Sequence, residues 1–150
     1  MKSIVVDVIM DNGFNGSHKA CIACGDTQAN PISLGLVFKL TDTNTVQCRY
    51  KVQAEHQGYQ GILHGGVAAM LVDAAMVNWL QIHGITRAMT AELNLRYHQI
   101  IAVGEQVDVE AKLVEQRHKI YRLKAKLSVN EQIRVSAEAK FIRPPNTKSA

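Results

Sequence analysis

The sequence predicts an α+β fold in which one antiparallel β-sheet is wrapped around one long central helix. Three observations carry this. Residues 65–83 contain no proline, are rich in Ala, Met and Leu, and place apolar side chains all round a helical cylinder. Three later segments alternate apolar and polar residues with a period of two, the mark of strands with one buried and one wet face. Two strands, then the helix, then four strands is an order that a single curled sheet accommodates.

Taken in order, the first thirty residues are rich in Gly, Asn, Ser and Cys and read as loop, with one short element at residues 4–10. Residues 35–40 and 45–52 read as strands parted by the turn-forming run Thr41-Asp42-Thr43-Asn44. A loop punctuated by Gly58 and Gly61 leads to the helix. Gly84 suits the left-handed residue past its end, and His83 suits the negative end of its dipole. Residues 90–97 form the next strand. Val107, Val109, Ala111 and Leu113 then alternate with Asp108, Glu110 and Lys112. Tyr121 to Val129 and Val135 to Phe141 repeat the pattern, joined by a tight turn at Asn130-Glu131. Pro144-Pro145 ends the last strand.

A chain of 150 residues is long enough for a sizeable core and short for two domains. The expectation is one domain over residues 1–150, with residues 1–33 as an N-terminal extension and 144–150 as a flexible tail. The net charge of +4 is spread among acidic residues with no basic cluster, which argues against nucleic acid as a partner. Residues 4–10 are broken by Asp7 and too short for a signal-peptide core, and residues 67–82 carry Asp73 and Asn78 and fall short of a membrane span. Three cysteines, an odd number, disfavour a disulfide framework, so a cytoplasmic protein is expected.

Asp73 stands out as a candidate for chemistry. It is the one Asp, Glu, Lys or Arg between His64 and Arg87, in a helix otherwise suited to burial. A buried carboxylate needs a partner or a task. A hydrogen bond to neighbouring backbone or to a Thr hydroxyl is the structural alternative. At the helix start, His64-Gly65-Gly66 presents free N–H groups at the positive end of the dipole, and glycine lets a carbonyl oxygen approach closely. That is equipment for stabilising an oxyanion. Gly66 and Asp73 lie about 10 Å apart along one helix at 1.5 Å per residue. If they act on one carbonyl, the helix of a second subunit must lie alongside, antiparallel, giving a two-fold dimer with composite sites.

The run from Gly58 to Asp73, with His64-Gly65-Gly66 and an acidic residue nine positions after the His, resembles the signature of hotdog-fold thioesterases of the phenylacetate-pathway type. Asn94-Leu95-Arg96-Tyr97 and Gly104-Glu105 are similar to the strand and turn that follow the helix there. Cys21-Ile22-Ala23-Cys24-Gly25 before Leu34-Gly35-Leu36 resembles a subgroup with a Cys-x-x-Cys-Gly segment. The resemblance implies a hydrolase that cleaves an acyl-CoA or related thioester, as a homodimer or a dimer of dimers, with no cofactor, metal or membrane required. It implies Asp73 as nucleophile or general base, the N–H of Gly66 or Gly65 as donor to the thioester oxygen, His64 as a turn-stabilising hydrogen-bonder, and Thr90 as a positioner of water.

Substrate would be bound by the loop residues Gln57, Gly58, Gln60, Gly61 and Leu63, with Met70 and Met76 as core or acyl-pocket lining. The sequence departs from the family at Gly58, where many relatives carry Asn or Gln. Gln57 and Gln60 are the candidates to replace that amide, and its loss keeps a non-catalytic acyl-CoA binding or sensing protein as the alternative. Cys21 and Cys24, with His18 and a distant His56 or Cys48, contain the beginnings of a zinc site. Without a second close-spaced ligand pair, however, a structural or redox pair is the expectation.

Overall fold

The computed structural model describes residues 18–145. The element foreseen at residues 4–10 and the tail from 146 onward lie outside them. Among the described residues six strands, β1 (Lys39–Leu40), β2 (Thr45–Lys51), β3 (Met89–Tyr97), β4 (Gln106–Arg117), β5 (Ile120–Val129) and β6 (Gln132–Ile142), accompany one α-helix, α1 (Gly65–Ile82), and a single 3-10 turn at Ala54–His56. All pairings are antiparallel and the sheet order is β1-β2-β4-β5-β6-β3. α1 lies across this sheet and packs on β2, β4, β5 and β6. This is the hotdog arrangement.

The alternation seen in the sequence becomes cross-strand rows. Cys48, Val109, Leu127 and Val135 are opposite one another across four strands, as are Val46, Ala111, Ala125 and Ala137. All eight are buried. Three alanines side by side in the second row keep the middle of the sheet low, leaving room for a helix to lie close. Against them α1 buries Leu71, Val72, Ala75, Met76, Trp79 and Leu80. Two-residue turns join the long strands. Asn130 and Glu131 both take positive φ, 49° and 66°, the mirror-image turn that matches strand twist.

α1 has 18 residues and a mean hydropathy of 1.3, which reach the length and apolarity of a membrane span. Half of it is buried against the sheet, the ordinary state of a core helix. The helix ends at Ile82 rather than His83. His83 caps it, with Nδ1 2.7 Å from Trp79 O and Nε2 3.0 Å from Thr43 O, while its ring stacks on Trp79.

The first strand is far shorter than residues 35–40 suggested. Leu34 and Leu36 donate their N–H groups to Ile22 and Ala23 carbonyls, at 2.8 and 3.0 Å, and Gly35 between them has φ +61°. The Cys-x-x-Cys segment therefore claims this backbone, and only Lys39 and Leu40 remain to pair with β2.

Candidate active site

β3 is an edge strand, paired with β6 alone. Leu93, Leu95 and Tyr97 are opposite Ala139, Ala137 and Val135, so they point to the helix side of the sheet. An irregularity between Thr90 and Glu92 shifts the phase and turns Thr90, opposite buried Phe141, inward as well. The two ends of the strand thus reach α1 at two places. Thr90 Oγ1 donates to Asp73 Oδ1 at 2.7 Å, and Tyr97 Oη donates to Gly65 O at 2.7 Å.

Asp73 is half-buried in the third turn of α1. Removal from water raises its carboxyl above the ordinary value of 3.8, and the Thr90 hydroxyl bond opposes that rise. It has no cationic partner among the described ion pairs. The carboxylate thus has one polar contact, on a helix stripe of Gly66, Ala69, Met70, Asp73 and Val77 that the rest of the chain does not fully cover.

At the helix start, His64 is the N-cap. Its Nδ1 accepts the Gly66 N–H at 2.8 Å, and its carbonyl accepts from Val67 and Ala68. The imidazole therefore already occupies the Gly66 N–H, the donor placed first in the sequence analysis. The Gly65 N–H has no acceptor among the described residues. Gly65 thus carries the free donor, and its carbonyl is clamped by Tyr97. The tautomer follows from the geometry: Nδ1 accepts, so in the neutral ring Nε2 carries the proton.

An apolar cavity of about 250 Å³ opens beside Gly65, lined by Ile62, Leu63, Ala68, Tyr97, Ile100 and Ile101 among others. Met70 lies on the partly open helix face, whereas Met76 is completely buried in the core. A helix apolar on all sides does not reveal which face its sheet covers.

The 57–63 loop is held by its own bonds. Gln57 Oε1 accepts the Gly61 N–H at 2.9 Å, Gly58 N donates to Ile62 O, and Gly61 takes φ +80°. Gln57 and Gln60 are exposed and neither lines the cavity. At Gly58 a Cβ would lie 3.2 Å from His64 Cδ2 and 3.3 Å from His64 Cα. Glycine here lets the loop press on the capping histidine. Tyr97 was absent from the site residues singled out from sequence, although the inward phase of Leu93 and Leu95 points to it.

A larger cavity of about 560 Å³ lies on the outer face of the sheet between β3, β4, β5 and β6 and holds none of these groups. The other residues considered for a metal separate. His56 Nδ1 is bonded to Tyr50 Oη, and Cys48 is buried in β2 with its thiol pushed up to about 12 by desolvation. His18, Cys21 and Cys24 stay together.

A thioesterase superfamily model matches residues 60–143, more than half of the chain. The chain belongs to the thioesterase superfamily. The matched span begins in the Gly58 to Gly61 loop and takes in α1, β3, β4, β5 and β6, leaving β1 and β2 outside it. A crystal structure of a thioesterase superfamily protein is similar at 25% identity and a TM-score of 0.69, covering 76% of this chain; the chain spans only 59% of that protein. The PaaI protein of the phenylacetic acid degradation operon of E. coli is 16% identical with a TM-score of 0.68, over 73% of this chain and 84% of that one. A hypothetical thioesterase with coenzyme A from Streptococcus pneumoniae is 15% identical with a TM-score of 0.65, over 71% and 86%. These last two establish the shared fold. No curated protein matches the chain by sequence.

Proposed function

We propose that this member of the thioesterase superfamily hydrolyses an acyl-CoA thioester, with Asp73 as the acid/base or nucleophilic carboxylate and the Gly65 N–H as donor to the thioester oxygen. The observation that carries the reading is the pairing of two prepared but uncommitted groups on one helix. A desolvated carboxylate stands on an open apolar stripe, and an unpartnered N–H stands at the positive helix end beside an apolar cavity. The coenzyme A in the Streptococcus pneumoniae relative supports a ligand of that type.

Within one subunit the two groups are about 10 Å apart along the axis. The reading therefore includes a two-fold dimer in which α1 of one copy runs antiparallel to α1 of the other. The uncovered stripe around Asp73 and the free edge of β3, with Met89 70% exposed and Tyr97 54% exposed, are the surfaces such a partner would cover. In each site the carboxylate acts on a carbonyl polarised by the partner. Attack forms the tetrahedral oxyanion, its collapse breaks the C–S bond and expels the thiolate, and the water that forms the acid supplies the proton the thiolate takes up. If Asp73 is the nucleophile, water then releases the acid from the anhydride; if it is the general base, water attacks directly.

Thiol release from short, long, aromatic and hydroxylated acyl-CoAs tests this. Turnover that depends on Asp73 supports it. Tight acyl-CoA binding without turnover across the panel would instead assign a binding or sensing protein. Thr90→Val adds a check on the carboxylate's setting. Removing a bond that lowers the Asp73 pKa should move the acidic limb of the kcat/KM profile to higher pH. The rate at neutral pH should fall by on the order of tenfold, the scale of one hydrogen bond to a charged group. Thr90→Ser should restore both.

A further inference from the structure

We propose that His18, Cys21 and Cys24 form a zinc site that pins the segment before β1 onto α1. One ligand atom from each residue lies within 4.8 Å of the others, a spacing that one ion can bridge. The donor set, one imidazole and two thiols, suits zinc in type. Unlike a bare Cys-x-x-Cys pair, the arrangement brings in a third ligand at the same interval, three residues earlier.

The backbone is folded as a knuckle around these side chains. Cys21 N donates to His18 O at 3.0 Å, Gly25 N to Cys21 O at 2.8 Å and Asp26 N to Lys19 O at 2.8 Å. Ala23 N donates to Cys21 Sγ at 3.4 Å, a backbone contact that fixes the position of the sulfur. Gly25 is required by the same turn, since a Cβ there would stand 2.4 Å from both Cys21 N and Cys21 O. Ser33 Oγ donates to Gly25 O and Asn30 Nδ2 to Ala20 O, closing the loop on itself. The chain thus holds its ligands through backbone bonds, as a preorganised site requires.

The knuckle also touches the helix. The Asn78 side chain lies beside Cys24, with its Nδ2 donating to Ala74 O at 2.8 Å. Asn78 follows Asp73 by five residues, which places it about 140° around α1 and about 7.5 Å further along. The ion therefore sits on a different side of the helix from the carboxylate and has a structural role. Binding exchanges two thiol protons for the metal: Zn²⁺ joins both sulfurs and two protons leave to solvent. Three protein ligands leave the fourth tetrahedral position to water or another oxygen donor.

The full-length protein, expressed with zinc and passed through a weak chelator, should retain about one zinc per chain by elemental analysis. Cobalt(II) added to the metal-free wild-type protein should produce a thiolate-to-metal charge-transfer band. The band should be lost in Cys21→Ser/Cys24→Ser and weakened in His18→Ala. Chelation of the wild type should lower Tm, zinc should restore it, and thiol release per folded molecule should stay unchanged in the double variant. Zinc-free protein with no cobalt band while both thiols are reduced would overturn the proposal. So would a Cys21–Cys24 disulfide found by mass spectrometry after expression with zinc. The cobalt spectrum of the wild type decides the matter even if the variants fold poorly.

Discussion

Asp73→Asn is expected to lower kcat for thiol release by about 10²- to 10⁴-fold, the range associated with loss of a positioned general base, while leaving substrate binding nearly intact. Asn has the same shape and keeps an oxygen to accept from Thr90, so the 2.7 Å contact survives without the charge. A loss confined to KM would mean that the carboxylate contributes uniform binding rather than chemistry. Unchanged turnover would remove Asp73 from the mechanism.

The same substitution should stabilise the protein. Desolvation lifts the folded-state pKa of Asp73 above its ordinary value, so the folded state binds the proton more tightly than the unfolded chain. Below the ordinary value both states are protonated and the group contributes no penalty. As pH rises toward the elevated value, the unfolded chain ionises first and stability falls. Above it the penalty is fully present, as at neutral pH. Asp73→Asn should therefore raise Tm by a few degrees at neutral pH, with the gain shrinking toward acid. Thermal melts across pH check this directly. A carboxylate whose removal both stabilises the fold and abolishes turnover would be one held against stability for the sake of reactivity.

Much of this was legible in the sequence because the signals are local. Period-two alternation placed β4, β5 and β6, and the proline-free run ending at Gly84 placed α1. Asp73 declared itself by being charged where its neighbours are not. The strand order was not legible, since nothing in residues 89–97 says that this strand pairs with β6 and leaves its other side open. The Thr90 contact to Asp73 bridges seventeen positions and depends on that placement and on the irregularity beside it. The shortened β1 reflects competition between two partners for one backbone, which propensity does not rank. His64 was expected as a turn-stabilising hydrogen-bonder and is one, but which N–H its ring takes was not legible. Capping is the habit of Ser, Thr, Asp and Asn, and a histidine does it here through ring geometry. That single bond moves the free donor from Gly66 to Gly65.

Gly65→Pro isolates that donor. Gly65 is the first residue of α1, where proline is well tolerated, and His64 before it has the extended backbone (φ −62°, ψ 134°) that proline requires of its predecessor. An added Cβ meets only ordinary contact, the nearest atom being Tyr97 Oη at 3.6 Å. The substitution thus deletes one N–H and little else, and kcat should fall by about 10²- to 10³-fold, as for loss of an oxyanion donor. Gly65→Ala, which keeps the N–H at the same Cβ position, should lose less than about tenfold on the same grounds. The pair of defects also tests the composite site. If Asp73 works with the partner's Gly65, a heterodimer of Asp73→Asn and Gly65→Pro chains holds one intact site and one doubly defective site. Random reassociation of equal amounts makes half the dimers heterodimers, so activity should return to about one quarter of wild type. Were both groups to act within one subunit, every site in the mixture would carry a defect and no activity would return.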